Sequence, residues 1–185
     1  MTLESTMPIA TKVKFVIATT VTASALFGVA LSARADGDLV KFPENYEKGV
    51  LYAIVDRPDN KQYRELYAPA AAIEAAKAGK PLPDGTVLTL VQFNALLDAA
   101  GNPQKNAEGR FIKGTRVGYT VMEKRAGWGA EYPEAQRNGE WEYQAFTADR
   151  KVNDKANLTG CFNCHKPLDP RQDYVFSYDR MKAAK

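Results

Sequence analysis

The sequence predicts an α+β domain, mainly an antiparallel β-sheet with a few short helices, and three observations carry that expectation. Short runs of β-branched and aromatic residues recur between Gly, Pro and Asn punctuation. One Ala-rich run has the length and the end signals of a short helix, and the same punctuation leaves no room for the four long helices of a bundle.

The first 35 residues read as a secretory signal. Lys12 and Lys14 supply a basic start, "FVIATTVTASALFGVAL" an apolar core, and Ala33-Arg34-Ala35 a small-residue cleavage site. The competing reading is a retained membrane anchor, because the apolar run from Phe15 to Leu31 approaches bilayer-spanning length. The Ala-x-Ala site and the polar, turn-rich stretch behind it favour cleavage, hence export to the periplasm. No later apolar run follows, so the remainder reads as soluble. Removing 35 of the 185 residues leaves 150, a usual size for one domain with one core, over 36–185.

Strand candidates follow in order. "GVLYAIVD" (49–56) reads as a buried strand stopped by "RPDN", and "KQYRELY" (61–67) alternates like a half-buried one. Residues 69–78, "PAAAIEAAKA", read as a short helix, with Pro69 suited to its first turn and Gly79 to its end. After "KPLPDG", "TVLTLVQF" (86–93) is the clearest strand. "GNPQKNAEGRFIKG" is a loop or hairpin; "RVGYTVMEK" (116–124) and "GEWEYQAFT" (139–147) are two further strands, and "RAGWGAEYPEAQRN" between them holds too many turn residues for a long helix. "RKVNDKANL" (150–158) reads as a short helix leading to the cysteines.

Charge excludes one class of function. The formal charge is +3, and Lys12, Lys14, Arg34 and Glu4 leave with the leader, so the rest carries about +1 with its basic residues scattered. Nucleic-acid binding is not expected.

Both cysteines and the only histidine fall within "CFNCH", residues 161–165. Export makes a disulfide conceivable, and Cys-x-x-Cys alone would suit a redox dithiol. The adjacent histidine argues against both. Structural zinc needs four ligands, and the chain has no fourth Cys or His to join Cys161, Cys164 and His165. The motif therefore reads as covalent attachment of one c-type haem, the two thiols forming thioethers and His165 binding the iron.

The sixth ligand decides what such an iron does. With one histidine in the chain, bis-histidine ligation is excluded. Of four methionines, Met1 and Met7 lie in the leader, leaving Met122 and Met181. Either would make an electron-transfer cytochrome. Packing is the commoner role for methionine, so an open sixth site is favoured.

Seven stretches together resemble the cytochrome P-460 family: "FPENY", "QYRELY", "KAGKPLPDGTVLTLV", "GRFIKG", "GEWEYQAF", "GCFNCH" and "DYVFSY". The resemblance implies a mostly β fold, usually dimeric, with one five-coordinate c-type haem. Its members include hydroxylamine-oxidising enzymes and the cytochromes c′-beta, which bind nitric oxide. It implies nitric oxide or hydroxylamine as the small-molecule ligand, a redox partner protein, and the thioether and proximal-ligand roles for Cys161, Cys164 and His165. It also matches Arg64 to a distal-side arginine and brings Asp169 near a carboxylate that relays protons in some members. Arg64 equally suits a strand surface, and Asp169 a turn in "LDP". The enzymes join a lysine to the haem edge six residues after the Asp of "DGT"; here that place is Leu90, which draws the reading toward ligand binding. Tyr63, Tyr67, Phe93 and Tyr119 are candidates for the distal pocket or the core.

Overall fold

Five antiparallel strands pair in the order in which they follow along the chain. The computed structural model describes residues 39–185 except 131, 135, 136 and 169, so the expected leader lies outside the described residues. The strands are β1 (Val50–Arg57), β2 (Gln62–Ala68), β3 (Val87–Ala95), β4 (Lys113–Lys124) and β5 (Trp141–Thr147). Among the described residues three short α-helices accompany them: α1 (Ala70–Lys77), α2 (Leu158–His165) and α3 (Tyr178–Lys182). The α+β expectation is borne out, and among the described residues no helix is long and apolar enough to cross a membrane.

Strand register sorts side chains between two faces, because successive residues of a strand point opposite ways. Arg64 pairs with Gln92, Leu66 with Leu90, Leu90 with Thr120, and Met122 with Tyr143. These residues share one face, which the helices cover. The other face carries Val91, Tyr119, Val121 and Phe146 in a second core, with Phe42 and Tyr46 from the preceding segment packed on it. The Tyr119 ring meets Phe42 at 4.8 Å and Tyr46 at 5.7 Å, both edge-on.

Local chemistry ends the helices where it should. Lys80 N–H donates to the Ala75 carbonyl and Gly79 N–H to Ala76, closing α1 with a Schellman turn that needs the left-handed φ of 67° at Gly79. α1 buries Ala72, Ile73 and Ala76, one face at helical spacing, and packs against α3. The Tyr178 hydroxyl of α3 donates to the Lys80 carbonyl at 2.5 Å, tying the two helices together.

The helix expected over 150–158 is not there. Val152 instead bridges to Phe146 of β5, and Asn153 N–H donates to the Ala145 carbonyl. Asn153 and Asn157 are turn and cap formers: Asn153 accepts from Lys155 N–H, and Asn157 caps α2 by accepting from Gly160 N–H at 3.0 Å. Their side chains compete with helix, so it starts only at Leu158.

Candidate functional site

α2 carries the cysteine motif itself. Cys161 and Cys164 lie three residues apart and His165 four beyond Cys161, spacings that bring side chains to one side of a helix. Leu158 and Phe162 form the buried side, with the Phe162 ring between Tyr143 at 4.7 Å and Tyr132 at 5.0 Å. Asn138 reaches from a fully buried position to the Phe162 carbonyl at 3.0 Å. Burying Phe162 is worth about 1.5–3 kcal/mol and sets which way the motif faces.

Cys161 and Cys164 are not joined in a disulfide, and with His165 they line one cavity of about 560 Å³ between α2, the 175–177 segment, α3 and the sheet. That volume lies within the usual range of cofactor pockets, about 300–1,000 Å³. Burial, with Cys164 close by, pushes the Cys161 thiol up from its ordinary value.

The imidazole is fixed from three sides. His165 Nδ1–H donates to the Tyr174 carbonyl at 2.7 Å; a carbonyl can only accept, so Nε2 keeps the ring's lone pair. Tyr143 and Phe176 flank the ring at 5.1 Å and 4.8 Å between centroids. Burial pulls the His165 imidazole below its usual range, against the opposing pull of the Tyr174 carbonyl, so it is neutral at pH 7. A neutral imidazole with its second nitrogen bonded to a carbonyl is the usual form of a metal-ligating histidine.

Tyr174 reaches that position at a cost. Asp173 and Tyr174 hold φ of 52° and 57°, the left-handed region, which costs on the order of 1–3 kcal/mol for each non-glycine residue. The Asp173 carboxylate accepts from Leu82 N–H at 2.8 Å, from Lys124 Nζ at 2.8 Å and from Trp141 Nε1–H at 3.3 Å, and these bonds hold the segment in place.

The sheet wall of the cavity carries a polar strip among aliphatic side chains. Arg64 (β2), Gln92 (β3) and Thr120 (β4) line it among Val55, Leu66, Leu88 and Leu90. Gln92 Nε2 donates to Thr120 Oγ1 at 3.2 Å. Arg64 donates through Nε and Nη2 to Gln62 Oε1 at 2.9 and 2.7 Å. Burial, then the neighbouring Arg57 charge, pulls the Arg64 guanidinium down from its ordinary value. Such a charge, facing a cavity with neutral amides for its hydrogen-bond partners, favours an anionic or strongly polar ligand.

Arg57 and Arg180 also line the cavity, and among the described residues no Asp, Glu or Lys does. Leu90 lies in the wall between Leu66 and Thr120 in register, so the strand position expected for a cross-linking lysine does face the cavity and holds leucine.

Several expected residues go elsewhere. Tyr63, Tyr67, Phe93 and Tyr119 do not line the cavity. Their strand positions alternate with Arg64, Leu66, Gln92 and Thr120, which directs them to the opposite face, where Tyr119 is buried and Tyr67 and Phe93 pack beside it. Met181 is fully buried in the helix-side core away from the cavity, whereas Met122 lines it beside Tyr143. Asp169 lies outside the described residues. Gln92 and Thr120 were not singled out in the sequence; their signal is a polar side chain on the strand face that also carries Leu88, Leu90 and Met122. Among the described residues no group of three or more His, Cys, Asp or Glu could hold a metal ion.

A family model described as Cytochrome P460 matches residues 43–177. No curated protein matches the chain.

Proposed function

The chain belongs to the cytochrome P460 family, and on that premise we propose that it is an exported mono-haem c-type protein whose five-coordinate iron binds a small ligand such as nitric oxide. The observation that carries this reading is the composition of one cavity wall against another: two cysteines outside any disulfide and a neutral imidazole from α2, a polar strip among aliphatics from the sheet, and, among the described residues, no lysine in the lining.

The donor set fits the group. Cys161 and Cys164 are one helical turn apart and supply the two thioether sulfurs, and His165 Nε2 supplies the proximal lone pair. Three guanidiniums and, among the described residues, no carboxylate in the lining suit a dianionic, largely apolar macrocycle. When bound, haem supplies an iron that takes a diatomic ligand and exchanges single electrons. The protein's part is to hold it, to fix the imidazole, and to set the polarity of the far side. There Val55, Leu66 and Leu90 exclude water, and Arg64, with three N–H donors not used by Gln62, meets a polar or anionic ligand.

Oxidation of hydroxylamine or a related nitrogen compound, with Arg64 and Asp169 as helpers, is the second reading; Arg64 in the cavity favours it, and Leu90 in the lysine's place opposes it. Export to the periplasm, a homodimer and a redox partner protein complete the proposal. Titrating the reduced protein with nitric oxide while recording absorbance tests it. Uptake of one equivalent without turnover of hydroxylamine supports ligand binding; sustained hydroxylamine oxidation selects the enzyme; no response selects an electron carrier.

A further inference from the structure

We propose that the buried Lys124–Asp173 pair is a positioning device for the proximal imidazole, holding the Tyr174 carbonyl against His165 Nδ1–H and so setting how strongly the imidazole donates to iron. The inference rests on His165 being the iron ligand, as proposed above.

Asp173 immediately precedes Tyr174, and its carboxylate gathers donors from three separate places. Leu82 N–H comes from the loop after α1, Lys124 Nζ from the end of β4, and Trp141 Nε1–H from the start of β5. Lys124 also donates to the Leu82 carbonyl at 3.0 Å, so the ammonium clamps the loop and the carboxylate together. The two side chains are 12 % and 9 % exposed, and a pair this enclosed is little screened by water.

From the other side the Tyr174 ring lies against Gly139, where a Cβ would approach it to 3.3 Å and where φ is 60°. The two left-handed residues are thus gripped on both flanks, and the grip aims one carbonyl at one ring nitrogen 2.7 Å away. A carbonyl accepting from a ligand histidine raises the basicity of the other nitrogen. Loosening the grip lengthens that bond, weakens the iron–imidazole bond and makes the ferric state less favoured.

The test is resonance Raman of the iron–histidine stretch in the reduced holoprotein, with the reduction potential, for the wild type, Asp173→Asn and Trp141→Phe. His165 is the only histidine, so the band has one source. Glu65→Gln serves as control, breaking a 2.7 Å ion pair with Lys113 on the other face of the sheet. The expected result is a downward shift of the stretch and an upward shift of the potential in Asp173→Asn, smaller shifts of the same sign in Trp141→Phe, and none in Glu65→Gln. If Asp173→Asn does not fold, Trp141→Phe, which removes one donor and keeps an aromatic ring, decides alone. A wild-type band that the folded variants leave unmoved overturns this inference only. A wild type with no iron–histidine band overturns the ligand assignment and the inference with it.

Discussion

Replacing Arg64 with Leu removes the one guanidinium on the polar strip of the sheet wall while keeping an aliphatic stem against Val55 and Leu66. Of the five N–H donors on the side chain, two are spent on Gln62 Oε1 at 2.9 and 2.7 Å and Nη2 also lies 3.1 Å from the Asn60 amide oxygen, which leaves at least two, those of Nη1, for a ligand. A hydrogen bond to a charged partner contributes about 1.5–3 kcal/mol. Arg64 is half-buried and already held by Gln62, so the lower part of that range applies, about 1.5–2 kcal/mol, or roughly 10- to 30-fold in affinity. Azide binding to the ferric protein reads this directly, by equilibrium titration and by stopped-flow dissociation, where most of the change should lie in the off-rate. Carbon monoxide on the ferrous protein is neutral and should change by less than about threefold, near the lower bound for one neutral hydrogen bond. An azide affinity within about twofold of wild type, below the smallest contribution expected of one hydrogen bond, would refute the placing of Arg64 at the ligand.

Four other outcomes follow from the same geometry. Phe162→Ala should cost about 3–5 kcal/mol and loosen the motif helix, read by denaturant unfolding together with haem content. Asn157→Ala removes the cap of α2 and should cost about 1 kcal/mol, lowering the melting temperature by roughly 2–4 °C. Burial pushes the Tyr52 phenol up to about 12. A phenol that holds its proton more tightly when folded stabilises fully below its unfolded value, so stability should fall as pH rises from about 10 to about 12, and Tyr52→Phe should flatten that fall in an alkaline melting series. Intact mass should show one haem held by two thioethers and no third covalent link, with Cys161→Ser or Cys164→Ser leaving one thioether and the double variant none.

The sheet was readable because its strands are dense in β-branched and aromatic residues and its turns carry Gly, Pro and Asn; all five fall where those signals are. β4 begins at Lys113, earlier than its pattern suggests, since pairing of Lys113 with Ala95 carries the strand back through Gly114 and Thr115, residues that look like loop. The helix expected before the cysteines failed for a local reason, the capping and turn chemistry of Asn153 and Asn157, and the helix moved onto the motif. At the site, Cys161, Cys164 and His165 are contiguous, so their meeting needed only helical spacing. Which sheet face they meet did not follow, because α2 and the 173–178 segment return to β2–β4 across the whole domain. That return places Arg64, Gln92 and Thr120 in a cavity wall and leaves the aromatic positions Tyr63, Phe93 and Tyr119 on the opposite face. The Lys124–Asp173 pair spans 49 residues and has no sequence signature at all.

Electron paramagnetic resonance of the ferric protein bears most directly on the central claim, that iron has His165 on one side and no protein ligand on the other. Met122 is the methionine in the cavity wall and therefore the side chain to be excluded. A high-spin signal, unchanged in Met122→Leu and converted on adding nitric oxide, is expected. A low-spin signal that nitric oxide leaves alone and that Met122→Leu turns high-spin would contradict it.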